Sequence, residues 1–239
     1  MKNLNTALVT GGGRGIGKET AILLSEKGMN IVICSRTQKE IDSVVKEIKM
    51  LGNNHIIGKK CDVSKPDEVN KLVKETLVKY GRIDLLINNA GITYVKKLVD
   101  TTEEEWDLTL DINLKGVFLL SKAILPQMMK NNFGIIINVS SGAGKVGFED
   151  ISVYCASKFG IMGLTESVAW EVGNSDIRVM TICPGEVATK MQKDVDLQYY
   201  NLNKHKMLNP KSVAEKIRDM VFDDKKYGNG VSVDLPSFK

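Results

Sequence analysis

The chain has 239 residues, of which 43% are hydrophobic and 26% are charged, which excludes a disordered, collagen-like or coiled-coil protein. The net charge is only +4 and the lysines are scattered, so binding to nucleic acid or to a membrane surface is not expected. Even the longest apolar runs are far shorter than the roughly 18 residues that cross a bilayer.

Seven short apolar runs, separated by longer amphipathic stretches, predict the strands. They are Leu4 to Thr10, Asn30 to Ser35, Ile56 to Cys61, Leu85 to Asn88, Ile135 to Ser140, Arg178 to Cys183 and Val231 to Leu235. Most of these runs are continuously apolar and do not alternate with polar residues. This is typical of a parallel sheet whose strands are covered on both faces.

Apolar residues spaced three and four apart predict amphipathic helices over Gly15 to Lys27 and over Lys39 to Leu51. Ser64 as N-cap and Pro66 in the first turn predict a third helix, which ends at about residue 80. The spacing of a capping box occurs further on, where Glu105 follows Thr102 by three positions in Thr102-Glu103-Glu104-Glu105. This pattern predicts the start of another helix.

This alternation predicts an α/β fold: one Rossmann-type, doubly wound domain over residues 1–239, with helices on both faces of a mostly parallel, seven-stranded sheet. The polar stretch 186–209 contains no predicted strand, and we expect it to be a substrate lid. The four cysteines form no CxxC pair and are interpreted as buried free thiols, with no metal site. The start of the chain does not have the pattern of a signal peptide, so we expect a cytoplasmic protein.

A glycine-rich loop, Thr10-Gly11-Gly12-Gly13-Arg14-Gly15-Ile16-Gly17, connects the first predicted strand to the first predicted helix. Such glycines let the backbone turn tightly and approach a pyrophosphate at the helix N-terminus. The spacing is TGxxxGxG, because Lys18 stands where a strict GxGxxG pattern has its last glycine. A loop of this kind also occurs as a plain turn, so alone it is weak evidence for a dinucleotide.

The end of the second predicted strand indicates which dinucleotide binds. A site for NAD generally has an acidic residue about 20 positions beyond the glycines, but here the strand ends in Cys34-Ser35-Arg36-Thr37. Arg36 is placed to pair with a 2′-phosphate, and Arg14 lies on the same side of the expected nucleotide. We therefore expect NADP(H), the alternative being that both arginines are ordinary surface charges.

Tyr154 and Lys158 are four residues apart in a helical pattern and therefore lie on one face. A nearby ammonium, together with an oxidised nicotinamide, favours the phenolate and lowers a tyrosine pKa from its usual value of about 10. Tyr154 is then a candidate for proton exchange with a carbonyl oxygen. For this pair alone, a packing tyrosine and a solvated lysine are the alternative.

Two further features support a site. Ser140 and Ser141 follow the fifth predicted strand, at the sheet edge where open α/β folds bind ligands. Asn113 is an amide in an otherwise apolar helix, and a buried amide needs a polar partner or a water-filled site beside it.

With these motifs in register, the sequence resembles the short-chain dehydrogenase/reductase family from Thr10 to Thr189. The resemblance implies that Tyr154 is the acid in reduction and the base in oxidation. It also implies that Lys158 lowers the pKa of Tyr154 and binds the nicotinamide ribose. Ser141 would bond the substrate oxygen, and is preferred to Ser140 because the family's serine precedes the tyrosine by 13 positions. Asn113 would position a water that links Lys158 to solvent.

The resemblance also implies the cofactor contacts. Asp62 and Val63 would contact adenine, Asn89 and Gly91 would form the turn on the cofactor side, and Thr189 would contact the pyrophosphate or the carboxamide. The full set of expected contacts is Gly11, Gly13, Arg14, Gly15, Ile16, Gly17, Ser35, Arg36, Asp62, Val63, Asn89, Ala90, Gly91, Tyr154, Lys158, Pro184, Gly185, Val187 and Thr189.

The expected function is NADP(H)-dependent interconversion of a small-molecule carbonyl and a secondary alcohol. The alternative is reduction of 3-oxoacyl thioesters on acyl carrier protein, since residues 88–93 (NNAGIT) are similar to those reductases. It comes second because Tyr94-Val95-Lys96-Lys97 and the ending 233–239 depart from their pattern. The non-enzyme alternative is a sensor or scaffold that binds NADP(H) without turnover.

The resemblance further implies a homo-oligomer, a tetramer or a dimer. The joining helices would be those over Glu103 to Lys130 and Tyr154 to Gly173. Trp106 and Trp170, which lie in these segments, are interpreted as residues that pack helix faces.

Overall fold

A computed structural model of the protein describes residues 4–237. Seven parallel strands form one sheet in the order β3-β2-β1-β4-β5-β6-β7. The strands are β1 (Thr6–Thr10), β2 (Asn30–Ser35), β3 (Ile56–Lys60), β4 (Leu85–Asn88), β5 (Gly134–Val139), β6 (Ile177–Pro184) and β7 (Ser232–Leu235). The strand order reverses between β1 and β4, which opens a crevice at the carboxyl edge of the sheet.

The helices lie on both faces of this sheet. They are α1 (Gly15–Glu26), α2 (Gln38–Met50), α3 (Pro66–Tyr80), α4 (Glu103–Leu110), α5 (Gly116–Lys130), α6 (Ser152–Glu171), α7 (Lys190–Val195), α8 (Leu197–Asn203) and α9 (Pro210–Phe222). A π-helical turn, Asp111–Lys115, joins α4 to α5.

Apolar side chains fill a core on each side of the sheet. On one side Leu24, Ile41 and Ile217 pack α1, α2 and α9 against the strands. On the other side Leu72 and Leu120 belong to the layer of α3 and α5. The predicted doubly wound α/β fold is therefore confirmed, and the continuously apolar runs are strands because both of their faces are covered.

The predicted strand boundaries agree with the structure to within two residues. The capping box is also confirmed, with the Glu105 N–H donating to Thr102 Oγ1 over 3.2 Å. The prediction that Ser64 caps α3 is wrong. Lys65 is the N-cap residue, and the Ser64 hydroxyl donates to the Asp62 carboxylate over 2.7 Å. Ser64 therefore lies one residue before the N-cap, and its side chain is held at the Asp62 carboxylate and not at the first amides of α3.

Segment 186–209 contains no extended strand but folds into α7 and α8, two helices that the sequence did not predict. A single parallel bridge between Val187 and Leu208 closes its base. The Tyr199 hydroxyl donates to the Glu186 carboxylate over 3.0 Å. The idea that this segment acts as a lid stays a prediction.

All four cysteines are free and buried, as expected. Within residues 4–237, none of the helices combines the length and the apolar composition that crossing a membrane requires.

Candidate active site

The glycine-rich loop forms a cradle at the start of α1. Gly15 has a φ of +55°, in the left-handed region that favours glycine. A Cβ on Gly17 would lie 2.5 Å from the Gly11 carbonyl oxygen, so only glycine lets α1 come this close to the loop. Arg14, the N-cap residue, makes no side-chain capping bond to the helix. The first amides of α1 are thus left for an anion, and the residues fit a dinucleotide pyrophosphate.

The loop is fastened to the end of β4 through one hydroxyl. Thr10 Oγ1 accepts hydrogen bonds from Asn89 N over 2.9 Å and from Ala90 N over 3.0 Å, and it donates to the Ile87 carbonyl over 3.3 Å. The Asn89 amide donates back to the Thr10 carbonyl over 2.9 Å. The side chain of Asn89 therefore holds the two walls of the crevice together.

A corner of the crevice forms where β2 ends. A Cβ on Gly13 would lie 3.1 Å from Ser35 Oγ and 3.0 Å from Glu40 Cβ, so these three residues meet there. The Arg14 guanidinium is bound to the Glu40 carboxylate, with Nη1 and Oε1 3.0 Å apart. Sequence reasoning missed Glu40, because an acidic residue in the first turn of α2 is common as a partner of the helix dipole.

Arg36 is exposed and lies near Asp62, which is the first member of the predicted adenine pair and stands two residues after β3. Partial burial raises the pKa of Asp62. Hydrogen bonds from Ser64 and the positive charge of Arg36 outweigh this effect, and the pKa lies below its usual value. Val63, the other member of the pair, is buried against Gly116, where a Cβ would lie 2.8 Å from Val63 Cγ2.

Tyr154 and Lys158 lie on one face of α6, with Lys158 Nζ 5.4 Å from the centroid of the Tyr154 ring. Lys158 is buried, and its ammonium donates to the Val139 carbonyl at the end of β5 over 2.9 Å. Ser140 is also buried, and its hydroxyl donates to the Lys158 carbonyl over 3.1 Å. Ser141 accepts from Ala143 N over 3.2 Å, and its hydroxyl lies near enough to the Tyr154 phenol to act on the pKa of that group. Of the two serines, Ser141 therefore faces the tyrosine.

Burial dominates the proton affinities of this pair. It raises the pKa of Tyr154 to about 12, although the neighbouring Ser141 hydroxyl acts in the opposite direction. Burial also lowers the pKa of Lys158 to about 8. The expected lowering of the phenol pKa by Lys158 is not found: burial sets the direction, and the group that opposes it is Ser141. In the protein's own environment the phenol stays protonated at neutral pH.

Asn113 lies in the π-helical turn, and protein atoms surround its amide. It accepts from Ile92 N over 2.8 Å and donates to the Ile92 carbonyl over 2.9 Å and to Ser157 Oγ over 3.0 Å. Ser157, which the sequence analysis did not single out, donates to the Tyr154 carbonyl over 2.7 Å. A Cβ on Gly91 would lie 3.3 Å from Asn113 Oδ1 and 3.8 Å from Lys158 Nζ. Asn113 therefore ties the segment after β4 to α6, next to the lysine.

The residues after β6 complete the crevice. Thr189 is the N-cap residue of α7, and its methyl group lies 3.4 Å from the position of a Cβ on Gly15. The start of α7 therefore sits beside the pyrophosphate cradle. Pro184 and Val187 are buried, and a Cβ on Gly185 would lie 2.7 Å from the Ser237 nitrogen. These three residues pack within the fold.

The family model for short chain dehydrogenases matches residues 5–199. A 3-oxoacyl-[acyl-carrier-protein] reductase of Synechocystis sp. is 39% identical over 222 residues, which are 91% of this chain and 89% of that protein. The corresponding reductase of Thermotoga maritima is 35% identical over 228 residues, which are 93% of this chain and 92% of that protein.

Solved structures are similar over nearly the whole chain. A variant of actinorhodin polyketide ketoreductase crystallised with NADPH has a TM-score of 0.92 at 28% identity, covering 98% of this chain and 96% of that chain. Levodione reductase has a TM-score of 0.90 at 28% identity, covering 97% of this chain and 95% of that chain. With a tyrosine, a lysine and a serine beside a dinucleotide cradle, this chain belongs to the short-chain dehydrogenase family and is an oxidoreductase that acts on C=O or CH–OH groups.

Proposed function

We propose that the chain reduces the carbonyl group of a small molecule with NADPH and that Tyr154 is the acid. The observation that carries this proposal is the position of the Tyr154 phenol. It lies beside the Ser141 hydroxyl, which acts to lower its pKa, just beyond the end of β5 on the sheet edge that also carries the glycine cradle. Ser141 and Tyr154 together would hold the substrate oxygen.

When bound, the cofactor supplies a hydride to the carbonyl carbon. Tyr154 then donates its proton to the substrate oxygen, and a pKa of about 12 keeps that proton in place until the oxygen becomes basic. Lys158 would bind the nicotinamide ribose and help to return a proton to the phenol. Asn113 would act by position, since its amide holds the Ile92 segment beside Lys158. That position would place a relay water near the ammonium.

The experiment that tests this function measures NADPH oxidation with acetoacetyl thioesters, diketones, quinones, sugars and steroids. Steady turnover with at least one of these carbonyl classes is the expected result. NADPH binding without any turnover would contradict the proposal and favour a sensor or scaffold.

Reduction of 3-oxoacyl groups on acyl carrier protein is the second candidate. The printed names of the relatives from Synechocystis and Thermotoga maritima favour it. The two candidates differ in what carries the acyl group. Turnover of acetoacetyl-acyl carrier protein together with inactivity towards the free carbonyl compounds would favour the second candidate.

We propose NADP(H) over NAD(H) because Arg36 and Arg14 flank the corner at Ser35, where the 2′-phosphate would lie. The similarity to a ketoreductase structure that holds NADPH supports this choice. The cytoplasmic location expected from the sequence stays a prediction.

Arg36→Glu is expected to weaken NADPH binding at least about tenfold and to change NADH binding about twofold or less, because it places a negative charge beside the 2′-phosphate. Titration of cofactor fluorescence gives both dissociation constants. Lys74→Glu, on the exposed face of α3, is the control with the same change of charge. An unchanged ratio of the two constants in Arg36→Glu would contradict the assigned corner.

We propose a homo-oligomer joined through α4, α5 and α6. In the single chain these helices carry exposed aromatic side chains, including Trp106, Phe118, Phe159 and Trp170, of which the last is 80% exposed. Both tryptophans are exposed in the single chain, so the interpretation that they pack helix faces stays a prediction that depends on a second copy of the chain. Sedimentation at micromolar concentration is expected to give a dimer or a tetramer, and a monomer would contradict the proposal.

A further inference from the structure

We propose that Glu40 is a specificity-determining residue that limits how strongly the protein prefers NADPH over NADH. Its carboxylate lies at the corner assigned to the 2′-phosphate and opposes the charge of that group. This inference rests on the proposed function, which places the 2′-phosphate beside Arg14 and Arg36.

The position of Glu40 follows from its two neighbours, Arg14 and Gly13. Its Oε1 lies 3.0 Å from Arg14 Nη1, and its Oε2 lies 3.4 Å from the position of a Cβ on Gly13. That same position is 3.1 Å from Ser35 Oγ, the last side chain of β2. The carboxylate therefore lies beside the glycine cradle and the end of β2, where the ribose of a dinucleotide would rest.

Both arginines of this corner already face carboxylates. Arg14 is paired with Glu40. A hydrogen bond from Lys190 is the main cause that lowers the pKa of Asp194 in α7, and the charge of Arg14 acts in the same direction. Arg36 faces Asp62 and lowers the pKa of that carboxyl group. The corner is therefore much less positive than its two arginines suggest. A 2′-phosphate would have to share Arg14 with Glu40 while lying close to the negative charge of Glu40.

The expected effect of this charge is moderate, since the Glu40 side chain is 28% exposed and water screens it. Glutamine at this position keeps an oxygen that accepts a hydrogen bond from Arg14, and it removes only the charge. We expect Glu40→Gln to tighten NADPH binding about fivefold at low salt and to change NADH binding less than about twofold. NADH is little affected because it has no phosphate at this corner.

The experiment titrates the wild-type protein and Glu40→Gln with NADPH and NADH, without substrate, at about 20 mM and about 300 mM salt. The gain for NADPH is expected to shrink at the higher salt concentration. Glu47→Gln is the matched control, since it breaks the other ion pair between α1 and α2, in which Lys18 Nζ and Glu47 Oε2 are 2.8 Å apart. This control should leave both dissociation constants within about twofold of the wild type. Thermal unfolding of each variant checks that the fold is intact.

Three results would overturn the inference: an equal change for both cofactors, the same change in Glu47→Gln, or weaker NADPH binding by Glu40→Gln. The last result would mean that Glu40 mainly orients Arg14. Measuring Arg36→Glu in parallel separates the inference from the proposed function. If only Arg36→Glu alters the NADPH to NADH ratio, the inference about Glu40 fails and the assigned corner stands. If neither variant alters the ratio, the corner itself is wrongly assigned.

Discussion

Tyr154→Phe is expected to lower turnover about 10²- to 10⁴-fold, because it removes the group that we propose as the acid for the substrate oxygen. The aromatic ring stays in place on α6, so NADPH binding should change about twofold or less. Steady-state rates with the best carbonyl substrate, together with a fluorescence titration of NADPH, measure the two effects separately.

Tyr80→Phe is the control for this prediction. The Tyr80 hydroxyl is buried at the end of α3 and has no hydrogen-bond partner among the described residues. The change removes the same atom from a different place and should leave turnover intact. If Tyr154→Phe also kept wild-type turnover, Tyr154 would not be the acid, and the proton would have to come from another group.

Lys158→Met is expected to inactivate the protein and at the same time to stabilise its cofactor-free fold at neutral pH. Burial lowers the pKa of Lys158 from 10.5 to about 8, so the folded state holds the ammonium less favourably than the unfolded state does. Below about pH 8 this difference opposes folding by on the order of 3 kcal/mol. Methionine removes the charge but loses the bond to the Val139 carbonyl, which offsets about 1 kcal/mol.

The pH dependence of stability distinguishes this explanation from better packing. Between about pH 8 and 10.5 the folded state has lost the proton of Lys158 while the unfolded state keeps it, so the wild-type protein gains stability as pH rises. Urea unfolding at about pH 6.5 should show a gain of about 2 kcal/mol for Lys158→Met, and this gain should nearly vanish at about pH 9.5. Lys74→Met, at an exposed position, should change stability little at either pH. An advantage that does not depend on pH would contradict the electrostatic cause.

The sequence predicts the features of this fold that depend on neighbouring residues. Continuous apolar runs locate the strands, because a strand covered on both faces needs apolar side chains in both directions. The spacing of Tyr154 and Lys158 places them on one face of α6, where the structure has them. The capping box at Thr102 is equally local, since its two hydrogen bonds join residues three positions apart.

The sequence does not predict features that depend on contacts between residues far apart in the chain. Glu40 is 26 positions away from Arg14 in sequence. It lies at the corner beside Ser35 because α2 packs beside the glycine loop. Ser157 joins the site through the hydrogen bond that it accepts from Asn113, which is 44 positions away in sequence. Trp170 is interpreted from the sequence as packing a helix face, yet it is 80% exposed in the single chain, because whether a large apolar side chain is covered depends on what surrounds the folded chain.

The hydroxyl of Thr10 limits how the crevice can admit its ligands. It forms hydrogen bonds with Asn89, Ala90 and Ile87 at the same time, and these bonds hold the β1 and β4 sides of the crevice together. If segment 186–209 acts as the predicted lid, the crevice widens on the opposite side, where α7 approaches Gly15 through the methyl group of Thr189. Entry of a dinucleotide and exit of a product would then use the same side, and one rate of opening would limit both.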